Sequence, residues 1–484
     1  MSRFRVVGAL LALSVVLGAV FVLETARSGV SISRTEVGET PVTSFIGADA
    51  DGPAVVIAHG FAGSSQMMQG YALPLARAGY RVFAFDFLGH GRHRLPMSGD
   101  VNAIDGTTRL LVDQTRAVMD AVGSGDAKVA LLGHSMATDL LVRAAEDRDD
   151  VGPIVLLSAF SQVIDATHPA ALLLVAGAWE GRLSAYAVEP AQMVSPDALP
   201  GETVSDGAVM RRTVIVPWIE HVSILQSAVA RKEALLWLDG FYGRTSDVRV
   251  WSTGPAIIAL LAGLVIALNL LAKRLPARDL APASLSLKQA TLIVVLPMVV
   301  APPLAVALNP GWLPVLVADY LALHLAIYGG LQLALLAVWR VPLGGFSRAA
   351  FLYLLIGSAV FGLALDRYAA NFWPTGDRLW IIAALAVGSI PFFVADARLG
   401  HRASLRFRAV SHGAFLVSLG IAVALDFEGL FFLLMIAPVI VLFYLAFGTM
   451  GHAVSARAGP LAPGLALGLV LAWSLGVSFP LFQA

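Results

Sequence analysis

Eight long apolar stretches fill the second half of the chain, and they constrain its fold more than any other feature. Each is close to the roughly 20 residues that a helix needs to cross a bilayer. They lie near residues 254–272, 289–308, 312–338, 349–365, 379–395, 409–425, 429–449 and 461–482. Only 14% of the 484 residues are charged, whereas about 25% is usual in soluble proteins. The sequence therefore predicts a membrane domain of about eight transmembrane helices over residues 251–484.

A further apolar run extends from Phe4 to Leu23, with Arg3 and Arg5 at its start. Its length is also that of a membrane span. A cleaved signal peptide is the alternative, but no clear small-x-small cleavage site follows the run. We therefore predict an uncleaved transmembrane anchor over residues 1–24.

The distribution of positive charge predicts the orientation in the membrane. With the N-terminus in the cytoplasm, the cytoplasmic segments hold Arg3, Arg5, Lys273, Arg274, Arg278, Lys288, Arg340, Arg348, Arg398, Arg402, Arg406, Arg408 and Arg457. The short outer loops then hold Arg367 and Arg378. Because this pattern follows the positive-inside rule, we predict an integral protein of a bacterial-type plasma membrane. The region between the first two spans is expected outside the cytoplasm.

That more polar region alternates strand-like and helix-like segments. Residues 31–44 alternate as an edge hairpin does. Apolar strand-like runs follow: AVVIAHG from Ala54, RVFAFDFLG from Arg81, KVALLG from Lys128, PIVLLSA from Pro153, AALLLVAG from Ala170 and RTVIVPW from Arg212. Helices are predicted near 67–78, 107–122 and 221–238. Near-continuous apolar strands between helices are typical of a parallel sheet covered on both faces. We predict an α/β domain over residues 31–245, with its chemistry at the carboxyl ends of the strands.

One stretch of this region, KVALLGHSMATDLL from Lys128 to Leu141, predicts a strand, a sharp turn and a helix. Ser135 lies at the apex, within Gly-His-Ser-Met-Ala. This is the pattern of a nucleophile elbow. A serine hydroxyl is a poor nucleophile until it is exposed, bonded to a base and placed beside oxyanion donors. Ser135 is therefore the candidate nucleophile, and the plain alternative is a serine that caps the following helix.

Two further strand ends supply a base and an acid for Ser135. Glu180 follows the strand AALLLVAG, and His221 follows the strand RTVIVPW. The chain order serine, acid, histidine suits an elbow of this kind. Since the carboxyl ends of parallel strands meet at one sheet edge, we expect the three side chains to converge. Asp165 is the substitute candidate for the acid, and Glu220 is expected to face water.

Five motifs occur in a fixed order between Ala54 and Phe241. They are HGFAGS from His59, DFLGHG from Asp86, GHSMA from Gly133, GAWE from Gly177, and EHVSIL from Glu220 ahead of Trp237-Leu238-Asp239. With these motifs the region resembles an α/β-hydrolase of the esterase, lipase or serine aminopeptidase kind. The resemblance covers roughly half of the chain.

The resemblance implies an oxyanion hole formed by the backbone N–H groups of Phe61 and Met136. Two positions depart from the common pattern. Ala137 stands where the elbow motif has glycine, so one extra methyl group must fit there. Glu180 stands where aspartate is commoner, and it does the same work of orienting the histidine. His59, His90 and His93 are expected to be structural or to orient loops, turn formation accounts for Asp86 equally well, and Trp179 is expected to pack or to line the pocket mouth.

The sequence thus predicts a membrane-anchored serine hydrolase that cleaves ester or related acyl bonds with Ser135, His221 and Glu180. One alternative is a polytopic transporter or membrane scaffold whose hydrolase-like domain only binds; another is a serine peptidase. The expected partners are a small-molecule or lipid-like acyl substrate and membrane lipid. No cofactor or metal is required, and the absence of a basic stripe in the sequence argues against nucleic acid.

The membrane half carries a few polar residues inside apolar stretches. Asp319, Tyr320, His324 and Tyr328 lie close together in sequence, and His412 lies near the end of a later span. Ionisable residues within a membrane are functional candidates by default. The plainer interpretations are that Asp319 lies near the outer interface and that His324 bonds a neighbouring helix.

Overall fold

The computed structural model describes residues 3–100, 103–123 and 127–483, with side chains from Val7 onward. After helix α1 (Arg3–Arg27) the chain forms a nine-stranded sheet. Its strands are β1 (Val30–Val37), β2 (Thr40–Gly47), β3 (Ala54–Ala58), β4 (Arg81–Phe85), β5 (Val129–His134), β6 (Val151–Leu157), β7 (Ala171–Gly177), β8 (Thr203–Asp206) and β9 (Val209–Val216).

The strand order is β1-β2-β4-β3-β5-β6-β7-β9-β8. From β4 to β9 the neighbouring strands are parallel. The edge strands β1 and β2 on one side, and β8 on the other, pair antiparallel with their neighbours. The predicted fold class is therefore confirmed, and the hairpin expected over residues 31–44 is the pair β1 and β2.

Helices cover both faces of this sheet, as near-continuous apolar strands require. They are α2 (Gln69–Arg77), α3 (Arg109–Val122), α4 (Met136–Ala145), α5 (Gly181–Tyr186), α6 (Glu189–Gln192) and α7 (Ala228–Tyr242). Because side chains alternate along a strand, β3 contributes to two cores. Val55 and Ile57 pack into the core on one face, and Val56 and Ala58 into the core on the other.

The helix predicted to begin at His221 begins instead at Ala228. The Glu220 carboxylate accepts hydrogen bonds from the backbone N–H groups of Val222 and Ser223, 2.9 and 2.7 Å away. This local bonding competes with helix formation and holds a tight turn. The helix starts only where the Ser227 hydroxyl caps its first turn.

The rest of the chain is helical. It forms α8 (Thr253–Leu271), α9 (Leu287–Leu308), α10 (Ala318–Val338), α11 (Arg348–Tyr368), α12 (Arg378–Gly400), α13 (Leu405–Leu425), α14 (Phe427–Leu430), α15 (Leu433–Phe443), α16 (Thr449–Ala458) and α17 (Leu461–Ser478). Helix α15 continues into α16 through a π-helical turn at Tyr444–Gly448. Counting α1 and this composite helix, nine helices of the described chain are long and apolar enough to cross a membrane.

The sheet domain is fastened to the ends of several of these helices. Arg92 forms an ion pair of 2.7 Å with Asp366 near the end of α11. Arg378, the first residue of α12, donates a 2.7 Å hydrogen bond to the carbonyl oxygen of Gly89. Both partners in the sheet domain belong to the loop that follows β4, so this loop rests on the helix ends.

Two more contacts lie on the same side. Arg231 donates to the Thr253 hydroxyl at the start of α8, at 2.7 Å. Met97 forms a parallel backbone bridge with Phe482, beyond the end of α17. The ends of α1, α11 and α17 and the starts of α8 and α12 therefore lie on the side of the helical domain that carries the sheet domain. The carboxyl edge of the sheet faces that side.

Candidate active site

The strand–turn–helix around Ser135 has the sharpness that the sequence predicts. Strand β5 ends at His134 and α4 begins at Met136, so Ser135 alone makes the turn. Its φ of 53° and ψ of −118° lie in a region that L-residues seldom adopt, and such strain is characteristic of functional sites. Its N–H donates to the carbonyl oxygen of Leu157 at 3.0 Å.

The departure from glycine at Ala137 is accommodated by Gly133 on the strand. A Cβ at Gly133 would lie 2.6 Å from Leu141 and 3.3 Å from the Ala137 methyl group. The glycine therefore leaves the space that the Ala137 methyl occupies, and Ala137 is fully buried. The elbow keeps its shape with alanine in this place.

The structure brings Ser135, His221 and Glu180 into one hydrogen-bonded row. His221 Nε2 lies 2.9 Å from Ser135 Oγ, and His221 Nδ1 lies 2.6 Å from Glu180 Oε1. In this arrangement Nδ1 donates to the carboxylate and Nε2 accepts from the serine hydroxyl. This is the geometry that a nucleophile, its base and an orienting acid require.

The Glu180 side chain is buried and fully bonded. Its second oxygen accepts hydrogen bonds from the Gly177 N–H at 2.7 Å and the Ser158 hydroxyl at 2.8 Å. Burial by itself raises the pKa of Glu180, but the hydrogen bonds from His221, Gly177 and Ser158 outweigh it and lower that pKa below its ordinary value. The carboxyl group is therefore ionised at neutral pH, as stabilisation of a protonated histidine requires.

The loop after β3 lies directly against the elbow. A Cβ at Gly60 would come within 2.9 Å of His134 Nδ1 and 3.0 Å of Ser135 Cβ, so the approach requires glycine. Phe61, the residue expected to supply an oxyanion donor, follows at once. The predicted oxyanion pair therefore lies on the two segments that meet at Ser135.

His59 and Asp86 fix this loop. His59 Nε2 accepts from the Phe87 N–H at 3.2 Å. Burial lowers the pKa of His59, which keeps the ring neutral and able to accept. Asp86 accepts from the Ser65 N–H at 2.6 Å and the Arg92 N–H at 3.0 Å. The loops after β3 and β4 are thereby tied together.

Comparison with known proteins identifies the fold of the sheet domain. Residues 53–188 match the family model described as the alpha/beta hydrolase fold. The N-terminal domain has the α/β-hydrolase fold. We refer to it below as the hydrolase domain.

Solved structures are similar to about half of the chain at low identity. An epoxide hydrolase from an endophytic Streptomyces is 15% identical, covers 45% of this chain and 98% of its own, and has a TM-score of 0.33. A membrane phospholipase A described as a bacterial virulence factor is 16% identical, covers 50% of this chain and 99% of its own, and has a TM-score of 0.33. A predicted CIB-like hydrolase from Thermoplasma acidophilum is 19% identical, covers 44% of this chain and 99% of its own, and has a TM-score of 0.34. No curated protein matches the chain.

His134 supports the site in a way that the sequence analysis missed. Its Nε2 lies 2.8 Å from the backbone carbonyl of His221, and the two rings are 4.9 Å apart. Burial lowers the pKa of His134 to about 4, so the ring is neutral at neutral pH and Nε2–H donates to that carbonyl. The only sequence signal was its place directly before Ser135.

Neither of the other acidic candidates reaches the site. Asp165 accepts from the backbone N–H groups of Thr167 and His168, at 2.7 and 2.8 Å, and so caps its own loop. Glu220 is exposed, as expected, but it also holds the turn after His221. Within the described residues, no group of three or more His, Asp or Glu side chains is placed to hold a metal ion.

Large exposed apolar side chains follow the strand ends that carry the site. Trp179, directly before Glu180, is 63% exposed, Trp218, shortly before His221, is 77% exposed, and Phe160 is 54% exposed. The two tryptophan rings meet edge to face at 6.1 Å. We call these three residues the apolar rim. Exposed apolar groups gathered at one place mark binding sites for apolar partners or for membranes.

The membrane domain also touches the site. The Phe61 ring lies 5.5 Å from the ring of Phe432, which stands between α14 and α15. On its other side Phe61 meets His90 edge to face, also at 5.5 Å. Phe61 is thus held between the hydrolase domain and the membrane domain.

Proposed function

We propose that the protein is a membrane-anchored serine hydrolase that cleaves ester or related acyl bonds through an acyl-enzyme on Ser135. The observation that carries this proposal is the row of hydrogen bonds from Ser135 Oγ through His221 to Glu180, at the carboxyl edge of the sheet. Its members come from three different strand ends, so their alignment is a product of the whole fold.

In the proposed reaction, His221 Nε2 takes the hydroxyl proton as Ser135 Oγ attacks the acyl carbon. The ionised Glu180 stabilises the imidazolium that forms. The N–H groups of Phe61 and Met136 stabilise the oxyanion, each donor being worth about 3 kcal/mol in sites of this type. His221 then gives the proton to the leaving group. In the second half of the reaction a water molecule attacks the acyl carbon, and His221 takes its proton and returns it to Ser135 Oγ as the acyl group leaves.

The surroundings of the site favour an acyl substrate that resides in the membrane. The apolar rim offers contact area for an alkyl chain. The carboxyl edge of the sheet faces the helix ends, and Phe432 of the membrane domain reaches the β3 loop. From the predicted orientation we infer a mouth at the outer surface of the plasma membrane, where tryptophan side chains are favoured.

The test is hydrolysis by the full chain purified in detergent, over a series of acyl esters of rising chain length, thioesters and aminoacyl amides. Ester cleavage by the wild type and its loss in Ser135→Ala support the proposal. Ser184→Ala is the matched control, because that hydroxyl is exposed and bonds only its own helix. Preferential cleavage of amides would favour a peptidase, since the fold serves both. Absence of any turnover by folded protein would favour the binding-only alternative.

A further inference from the structure

The membrane domain buries a set of polar side chains on one face of α10. Tyr320, His324 and Tyr328 follow one another at intervals of four residues, so they lie along one stripe of the helix. All three are almost completely buried. His324 Nδ1 lies 2.7 Å from the Tyr320 hydroxyl, and its Nε2 lies 3.1 Å from the Ser418 hydroxyl of α13.

A second set continues toward the opposite membrane side. The ring of His412 on α13 stacks on the ring of Tyr444 at 3.9 Å. His412 Nε2 lies 2.9 Å from Asp396 Oδ1 on α12. Tyr444 begins the π-helical turn between α15 and α16, and such turns are frequent at functional sites.

Two phenylalanine rings lie between the two sets in the middle of the domain. The rings of Phe392 and Phe393, neighbours on α12, lie 5.7 Å from Tyr328 and 5.8 Å from Tyr444. We call Tyr320, His324, Ser418, Tyr328, Tyr444, His412 and Asp396 the polar row. Polar and ionisable residues are costly inside a membrane, so such a row is a candidate for a function.

The polar row extends through the thickness of the domain. Depth can be measured along each helix from the end that faces the hydrolase domain. At 1.5 Å per residue, it is about 3 Å for Tyr320, about 9 Å for His324, about 15 Å for Tyr328, about 20 Å for His412 and about 27 Å for Asp396. The hydrocarbon core of a bilayer is about 30 Å thick. The row therefore has members at depths from near one side of the domain to near the other.

Two members of the polar row have unused hydrogen-bonding capacity. The hydroxyl groups of Tyr328 and Tyr444 are buried, and in the described part of the chain neither has a hydrogen-bond partner. Buried hydroxyl groups are normally bonded, by water where protein offers nothing. Water beside these hydroxyls would join the two sets where the direct contacts stop.

Each end of the polar row is open to its surroundings. A cavity of about 340 Å³ adjoins Tyr320 and Asp319 and is bounded by Gly99 of the hydrolase domain. Asp319 itself accepts from two backbone N–H groups at the helix start, near the interface as expected. At the other end the side chains of His412 and Asp396 are 26% and 19% exposed.

We propose that the polar row conducts protons across the membrane domain, an activity separate from acyl hydrolysis. A proton enters from the cavity and reaches His324 Nδ1 through Tyr320, and the ring releases its Nε2 proton toward Ser418. Water passes it along Tyr328 and Tyr444 to His412, and Asp396 releases it on the far side. Each transfer forms one bond to hydrogen and breaks another, so one positive charge crosses per proton.

The test uses the full chain reconstituted into liposomes that enclose a pH-sensitive dye. Valinomycin and an outward potassium gradient set an interior-negative potential. The efflux of potassium ions then balances the charge of the protons that enter. The wild type should acidify the interior faster than protein-free liposomes do. His324→Phe and the nearly isosteric Asp396→Asn should each reduce the proton flux at least tenfold.

The matched control is Ser389→Ala, which removes a buried intramembrane hydroxyl that bonds Gly468 on α17 instead of the polar row. It should conduct like the wild type. Each variant is compared only if it elutes as a monodisperse peak in detergent. A wild-type flux equal to that of empty liposomes would overturn the proposal, as would undiminished flux in both His324→Phe and Asp396→Asn.

Discussion

The carboxylate of Glu180 lies 2.6 Å from His221 Nδ1 while its other oxygen is held by the Gly177 N–H and the Ser158 hydroxyl. The glutamate is therefore fixed at both oxygens, and its charge faces the ring. This compensates for the extra methylene that distinguishes it from the commoner aspartate.

Replacing this carboxylate by an amide should be severe. In Glu180→Gln the side chain keeps its volume but loses the charge that stabilises a protonated His221. We expect kcat on a soluble ester to fall roughly 10⁴-fold, the effect typical of this replacement in such triads. Glu180→Asp, which keeps the charge, should retain much more of the activity. Nearly wild-type kcat in Glu180→Gln would show that another group orients His221.

Gly60 should tolerate no side chain. In Gly60→Ala the new methyl would lie 2.9 Å from His134 Nδ1 and 3.0 Å from Ser135 Cβ, and must push the β3 loop away from the elbow. A displacement of about 1 Å at a reacting centre can cost about 10²-fold in rate, so kcat should fall by that order. Gly181→Ala is the control, because a methyl there meets nothing within 4 Å. Equal kcat values for the two variants would contradict this account of the loop.

Buried His134 should make the hydrolase domain sensitive to acid. Its pKa is about 4 in the folded protein against an ordinary 6.5. Above pH 6.5 the ring is neutral in both states. As the pH falls from 6.5 toward 4, the unfolded chain binds a proton that the folded chain does not, so the free energy of unfolding decreases.

His134→Gln keeps a donor for the His221 carbonyl but does not titrate. Between pH 6.5 and pH 4 the free energy of unfolding of this variant should therefore decrease less than that of the wild type. The difference between the two decreases should be on the order of 3 kcal/mol. Pulse proteolysis of the full chain in detergent across urea concentrations measures this. Parallel pH profiles for the variant and the wild type would mean that His134 does not titrate as stated.

The apolar rim should determine the preference for chain length. In the double variant Trp179→Ser, Trp218→Ser, kcat/KM for long-chain esters should fall about tenfold or more, the scale of losing one buried aromatic contact. An acetyl ester, too short to reach the rim, should be cleaved as before. Trp312→Ser provides the control, since that tryptophan is 82% exposed but lies in the loop before α10. An equal loss on short and long esters would refute a role in chain recognition.

The orientation can be tested with single cysteines, because the natural chain contains none. Asp206→Cys lies on the exposed edge of the hydrolase domain, and Lys273→Cys lies on the opposite side of the membrane domain. In intact cells, a membrane-impermeant maleimide should label the first variant, and the second only after lysis. The reverse pattern would place the hydrolase domain in the cytoplasm.

The sequence predicts those parts of the site that lie at strand ends. Ser135, Glu180 and His221 each follow an apolar strand, and parallel strands bring their carboxyl ends together whatever the loops do. The apolar stretches likewise predict the spanning helices from length alone. The start of α7 could not be placed, because the side chain of Glu220 bonds the next turn and delays the helix.

The remaining parts depend on contacts between residues far apart in the chain. Nothing in the sequence joins Phe432 to Phe61, which are held together by the docking of the two domains. His134 gains its function from a carbonyl 87 residues away. Tyr444 and His412 stack only because α13 packs beside the turn that follows α15. Such pairings are set by tertiary packing, which no local pattern encodes.

Covalent labelling shows whether Ser135 is a nucleophile. The purified full chain is treated with a fluorophosphonate probe, digested and analysed by mass spectrometry. We predict a single modified serine, Ser135, with labelling abolished in both Ser135→Ala and His221→Ala. Unlabelled folded wild type, or a label on a different serine, would contradict the account.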